Sequence, residues 1–155
     1  MNNQIVRERV APVEIALSLK QKGFDWKIPH YYYYHWAHSC QDVSGYDDYY
    51  IYSENAWSNS DWEHATHELS DRAWNGYAMA QHPPISAPSY DMTIDWLMQQ
   101  GYYVGAVING DGKFYSVVKD MSSDQPAKAI PVSFYDRYEA LNQAIQYALK
   151  RVNDK

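Results

Sequence analysis

Sulfur chemistry is almost missing from this chain: its 155 residues include one cysteine, Cys40, so no disulfide forms within it. Phenylalanine is scarce too, with three residues against 16 tyrosines and six tryptophans. The aromatic content is therefore amphipathic. Each Tyr or Trp packs an apolar ring and still needs a partner for its polar tip, which suits half-buried sheet faces, pocket walls and interfaces. Positive charge is in deficit. Thirteen Lys and Arg face 19 Asp and Glu, a net charge of −6, whereas a general nucleic-acid binder needs a basic stripe to displace counterions from phosphates. No nucleic-acid partner is expected, and the mild acidity fits ordinary solubility rather than mimicry of DNA. No apolar run approaches the roughly 20 residues of a membrane-spanning helix. The opening Met1-Asn2-Asn3-Gln4 is not followed by the apolar core of a signal peptide. The expectation is a cytoplasmic protein with no membrane partner.

What remains is a globular composition, 46% apolar and 21% charged, too rich in apolar residues for a disordered chain. The length suits a single domain over residues 1–155, with residues 1–10 as a loose polar arm. Pro12 opens a helix, since the first turn tolerates its missing N–H, and Gly23 is the left-handed stop, with Phe24 folding back on the last turn. Val13, Ala16, Leu17 and Lys20 are expected on one face. The aromatic runs Tyr31 to Trp36 and Tyr49 to Tyr52 favour strands, paired through the polar segment between them. Trp62, Thr66, Leu69, Ala73 and Trp74 recur at helical spacing over 60–76, with Asn59 or Ser60 as cap. Residues 81–88 contain three prolines and read as an extended connector.

The C-terminal half predicts helix, hairpin, strand, helix. Ser86 or Ser89 caps a helix whose Tyr90, Ile94, Leu97 and Met98 face one way, stopped by Gly101. Tyr102 to Ile108 and Phe114 to Val118 are strands joined by Asn109-Gly110-Asp111-Gly112, a turn rich in residues that accept positive φ. Ile130 to Phe134 adds a third strand. Asp136, with Glu139 three residues on, caps a last helix whose stripe runs through Tyr138, Leu141, Ile145, Ala148, Leu149 and Val152. The fold class is α+β: an antiparallel sheet with helices packed on one face.

The order Ala16-Leu17, Lys22-Gly23-Phe24-Asp25, the tyrosine strand, Ser86-Ala87-Pro88-Ser89 before Trp96-Leu97, and Ser133-Phe134-Tyr135-Asp136-Arg137-Tyr138-Glu139-Ala140-Leu141 resembles a family of small proteins encoded in prophages and mobile elements of gut bacteria. Against shorter members, residues 54–80 are a helical insertion. The resemblance implies an accessory role in a mobile element and transfers no activity. Helix–strand–strand–strand–helix is also the order of double-stranded RNA-binding domains. Those domains meet phosphates with lysines at the start of the last helix, where this chain has Asp136-Arg137-Tyr138-Glu139. The hairpin and last helix look like the degenerate ribonuclease-H-like module of some antitoxins, an analogy of fold alone.

Two constellations carry chemistry. His35, His38 and Cys40, with His64 and His67, are of metal-ligating type, but their spacing matches no zinc motif. No metal or other cofactor is expected, and no catalytic residue is assigned. The second constellation is the aromatic segment: Tyr31, Tyr33, Trp36, Tyr50, Tyr52, Trp57 and Trp62 are of the residue types that anchor interfaces. The leading expectation is a non-enzymatic interaction module, self-associating as a homodimer or meeting a protein partner through this surface. The alternative is a small-molecule binder or cryptic enzyme with an aromatic, His-lined cleft.

Overall fold

The structure, a computed structural model, describes residues 9–34, 49–69 and 83–153. Among these the chain runs α1 (Val13–Gln21), β1 (Ile28–Tyr34), β2 (Tyr49–Trp57), α2 (Asn59–Leu69), β3 (Ile85–Ser86), α3 (Tyr90–Gln99), β4 (Tyr102–Ile108), β5 (Phe114–Asp120), β6 (Lys128–Phe134) and α4 (Arg137–Leu149). The strands form two antiparallel three-stranded sheets, ordered β2-β1-β3 and β4-β5-β6, so the fold is α+β. The chain divides into two compact units. One comprises Met1–Val13 and Trp26–Tyr90, the other Glu14–Asp25 and Asp91–Lys155.

In the first unit, β1 begins at Ile28, before the tyrosine run, and β2 continues to Trp57. Residues 54–57, expected in a helical insertion, are therefore strand. A register shift between Ile28 and His30 makes this arrangement work: Pro29 sits at the irregularity, where a missing ladder N–H is tolerated. The predicted helix over 60–76 starts at Asn59, and its described part ends at Leu69. Ala73, Trp74 and the stop at Gly76 lie outside the described residues. The end of the expected loose arm is tied down. Ala11 N–H donates to Pro88 O at 2.8 Å, Tyr90 N–H to Arg9 O at 3.1 Å, and the Tyr32 hydroxyl to Ala11 O at 2.6 Å.

In the second unit, α4 packs on the sheet through Ala140, Leu141, Ala144, Ile145, Ala148 and Leu149. The alanines let the helix backbone approach the strands closely. Opposite them, Val104, Ser116 and Val118 are buried on the inner face. Asp136 caps α4 by accepting from Tyr138 N–H at 2.7 Å. At the end of α1, Gly23 takes φ 97° and Phe24 N–H reaches back to Leu19 O at 2.9 Å, the bonding that closes a helix end. Phe24 is buried, edge-on to Trp96 with ring centroids 5.8 Å apart.

Two expectations need correction. The buried residues of α1 are Val13, Ile15, Ala16 and Leu19: Val13 and Ala16 are buried as expected, while Leu17 and Lys20 are only half-buried. On α3 the buried residues are Tyr90, Thr93, Trp96 and Leu97, and Met98 is 47% exposed. The larger indole takes the inward position and rotates the stripe. The hairpin turn carries positive φ at Gly112 alone, with Gly112 N–H donating to Asn109 O at 3.1 Å. This is a three-residue loop ending in a glycine bulge, and the expected hairpin forms around it.

Truncating Ile145, fully buried on the inner face of α4, should cost about 3 kcal/mol through lost transfer energy and the cavity left behind. Gly23→Ala should cost about 1 kcal/mol through the left-handed backbone. Urea unfolding of each variant against the parent checks both values.

Candidate functional site

The aromatic cluster is built where β2 turns into α2. Ser58 alone separates strand from helix, and it forms a capping box. Asp61 N–H donates to Ser58 Oγ at 3.1 Å while Ser58 N–H donates to Asp61 Oδ2 at 2.8 Å. The cap is thus Ser58 rather than Asn59 or Ser60. Asn59 is buried and engaged elsewhere: its Oδ1 accepts from Ser86 N–H of β3 at 2.9 Å. This sharp entry brings Trp62, in the first turn of α2, onto the sheet. Its ring lies 4.6 Å from that of Tyr31 and 4.7 Å from that of Trp57. Tyr31 and Trp62 are buried, and Trp57 is 37% exposed. The result is an exposed indole braced by a buried one, which is braced in turn by a tyrosine on the central strand.

Register places the remaining tyrosines. Tyr31 pairs with Tyr52 and Tyr33 with Tyr50 along the β1–β2 ladder. Among the residues of the predicted surface whose side chains are described, Tyr31 and Trp62 are core-side supports and Trp57 is exposed. Trp36 lies outside the described residues, as do His35, His38 and Cys40. His64 and His67 are both on α2, and His64 is exposed. Among the described residues no group of three or more His, Cys, Asp or Glu converges as a metal site.

The Asp61 carboxyl is held below the ordinary carboxylate range, chiefly by the Ser58 backbone N–H. Desolvation opposes this, while the Ser58 hydroxyl, Lys27 and His64 reinforce it. Lys27 Nζ is 3.9 Å from Asp61 Oδ2, a long pair on exposed side chains and so worth little by itself.

The second sheet also presents apolar groups on its surface. On its outer face Tyr103 is 43% and Val107 41% exposed, and Tyr103 lies along its own strand over Gly105. A Cβ at position 105 would sit 3.5 Å from the Tyr103 hydroxyl. The signal was available. In Tyr102 to Ile108 both alternating sets of positions are apolar, which marks a strand covered on both faces or presenting one of them.

No family model, curated protein or solved structure matches the chain. No helix among the described residues is long and apolar enough to cross a membrane.

Ser58→Ala should destabilise the protein by about 1 kcal/mol. For Asp61 the sign follows from the lowered folded-state pKa: its stabilisation is full above the ordinary Asp value and is lost as pH falls through the folded value. Asp61→Asn should therefore be less stable than the parent at neutral pH, with the gap closing below about pH 4. Thermal melts of both proteins across pH 3 to 7 read this directly.

Proposed function

We propose that the chain is a non-enzymatic protein-interaction module that assembles with a second copy of itself through the open edge of β4. The supporting observation is the unequal protection of the second sheet's two edges. The β6 edge carries Lys128, Pro131 and a register shift opposite Tyr115 to Val117, each a device that blocks pairing with another strand. The β4 edge carries none. Its seven residues contain no charge and no proline, and it pairs with β5 in unbroken register from Tyr102 to Ile108. Its other edge pairs with no strand among the described residues.

An antiparallel pairing of two β4 strands about Gly105 sets Tyr103 of each copy opposite Val107 of the other. Cross-strand pairs of an aromatic with a β-branched residue each contribute about 0.2–1 kcal/mol. Ladder hydrogen bonds and burial of the two half-exposed side chains add to this.

The braced Trp57 supports a second surface for a different protein partner, since rigid, partly exposed tryptophans are the commonest anchors of such contacts. A cytoplasmic setting and an accessory role in a mobile element belong to the same proposal and rest on composition and on the resemblance.

Light scattering over a concentration series tests the assembly. The expected mass is twice that of the 18.1 kDa chain, falling to one chain in Val107→Lys with the melting temperature preserved. A parent protein that stays monomeric at every concentration sinks the reading.

A further inference from the structure

We propose that a concavity of the second unit, about 180 Å³ in volume, is a binding site for a small phosphate monoester. Its walls include Tyr102, Asp120, Ser123, Lys128, Tyr147 and Arg151. The proposal is independent of assembly through β4.

Tyr147 of α4 organises the site. The Arg151 guanidinium carbon stands 3.4 Å from the Tyr147 ring centroid, and its Nη1 donates to Tyr147 O at 2.8 Å. Lys128 of β6 brings its Nζ to 3.2 Å from the Tyr147 hydroxyl and 5.4 Å from the ring centroid. A cation near a helix C-terminus answers the helix dipole, which accounts for Arg151. It does not account for Lys128, which arrives from a strand. Neither cation forms an ion pair with a carboxylate among the described residues.

The one acidic wall residue is already engaged. Asp120 Oδ1 accepts from Ser122 N–H at 3.0 Å and from the Ser122 hydroxyl at 2.7 Å. The rim is held in shape by the Lys119 ammonium, which donates to the carbonyls of Ser123 and Gln125.

Stacking and backbone bonding fix the guanidinium before any ligand arrives, so less side-chain freedom is lost on binding. After its bond to Tyr147 O, the planar fork keeps most of its donors, and the ammonium adds a point charge. A phosphate monoester matches this pair: its dianion accepts from the fork and the ammonium together. The volume leaves room for a short organic body, which would lie against Tyr102, Val118 and Pro126.

The test is a titration of the full chain, followed by amide NMR, with inorganic phosphate and with glycerol 3-phosphate, against sodium chloride of equal ionic strength. The expected result is saturable shifts at Tyr102, Lys128, Tyr147 and Arg151 with both phosphates, tighter for the ester. Affinity should fall as pH drops below about 6, where the dianion takes up a proton. Arg151→Gln and Lys128→Gln should each weaken binding roughly tenfold, with unchanged melting temperatures. Shifts no different from those of chloride would overturn the proposal, as would binding that both variants retain in full, or a response to oligonucleotide with none to either small phosphate.

Discussion

The second unit depends on how closely α4 approaches its sheet. Ala140, Ala144 and Ala148 are fully buried along the helix, and their small size brings backbone near backbone. At that distance the central strand carries a hydroxyl rather than a hydrocarbon. Ser116 is fully buried, and its Oγ donates to Ala140 O at 2.5 Å, with Gln143 Oε1 at 2.8 Å. A buried hydroxyl without a partner would cost about 1–3 kcal/mol, so this bond specifies the register of helix against sheet as well as holding it. Leu141, Ile145 and Leu149 then fill the flanks. With the inner face closed in this way, the other parity of β4 necessarily faces outward, and it is that parity which carries Tyr103 and Val107.

The first unit solves a different problem, placing amphipathic rings where both ring and polar tip are satisfied. Tyr32 reaches a backbone carbonyl of the N-terminal segment, and Tyr31 gives its ring to Trp62. Polar side chains do the work of loop residues at the junctions: the Ser58–Asp61 box starts α2, and Asn59 secures β3. Ser86 Oγ is buried and has no hydrogen-bond partner among the described residues.

Much of the architecture was legible from local chemistry. The Gly23 and Gly101 stops, the Asp136 cap, the Tyr102–Ile108 strand and the antiparallel pairing of the two tyrosine strands all appear where residue type demanded them. Helix faces were less legible. Periodicity alone did not decide between Trp96 and Met98, because both are apolar and only packing ranks them. The cap of α2 was missed by one residue, because Ser58, Asn59 and Ser60 are all good caps, and the choice turned on Asn59 being needed by a strand 27 residues away. The functional surface was half legible. Composition flagged the aromatics as interface material, but it could not tell the exposed Trp57 from the buried Trp62 and Tyr31.

The sequence by itself determined most of the elements and their order, because turns, caps and alternation are set by neighbours a few residues apart; β3, inside the stretch read as an extended connector, is made a strand by its pairing with β1. It also determined the absence of a disulfide and the deficit of positive charge. Tertiary structure alone decided which side of each element is covered, which strands stand at a sheet edge among the described residues, and that Lys128 and Arg151 both contact Tyr147. Those outcomes depend on which distant segments pack together, and a periodic pattern carries no information about its partner.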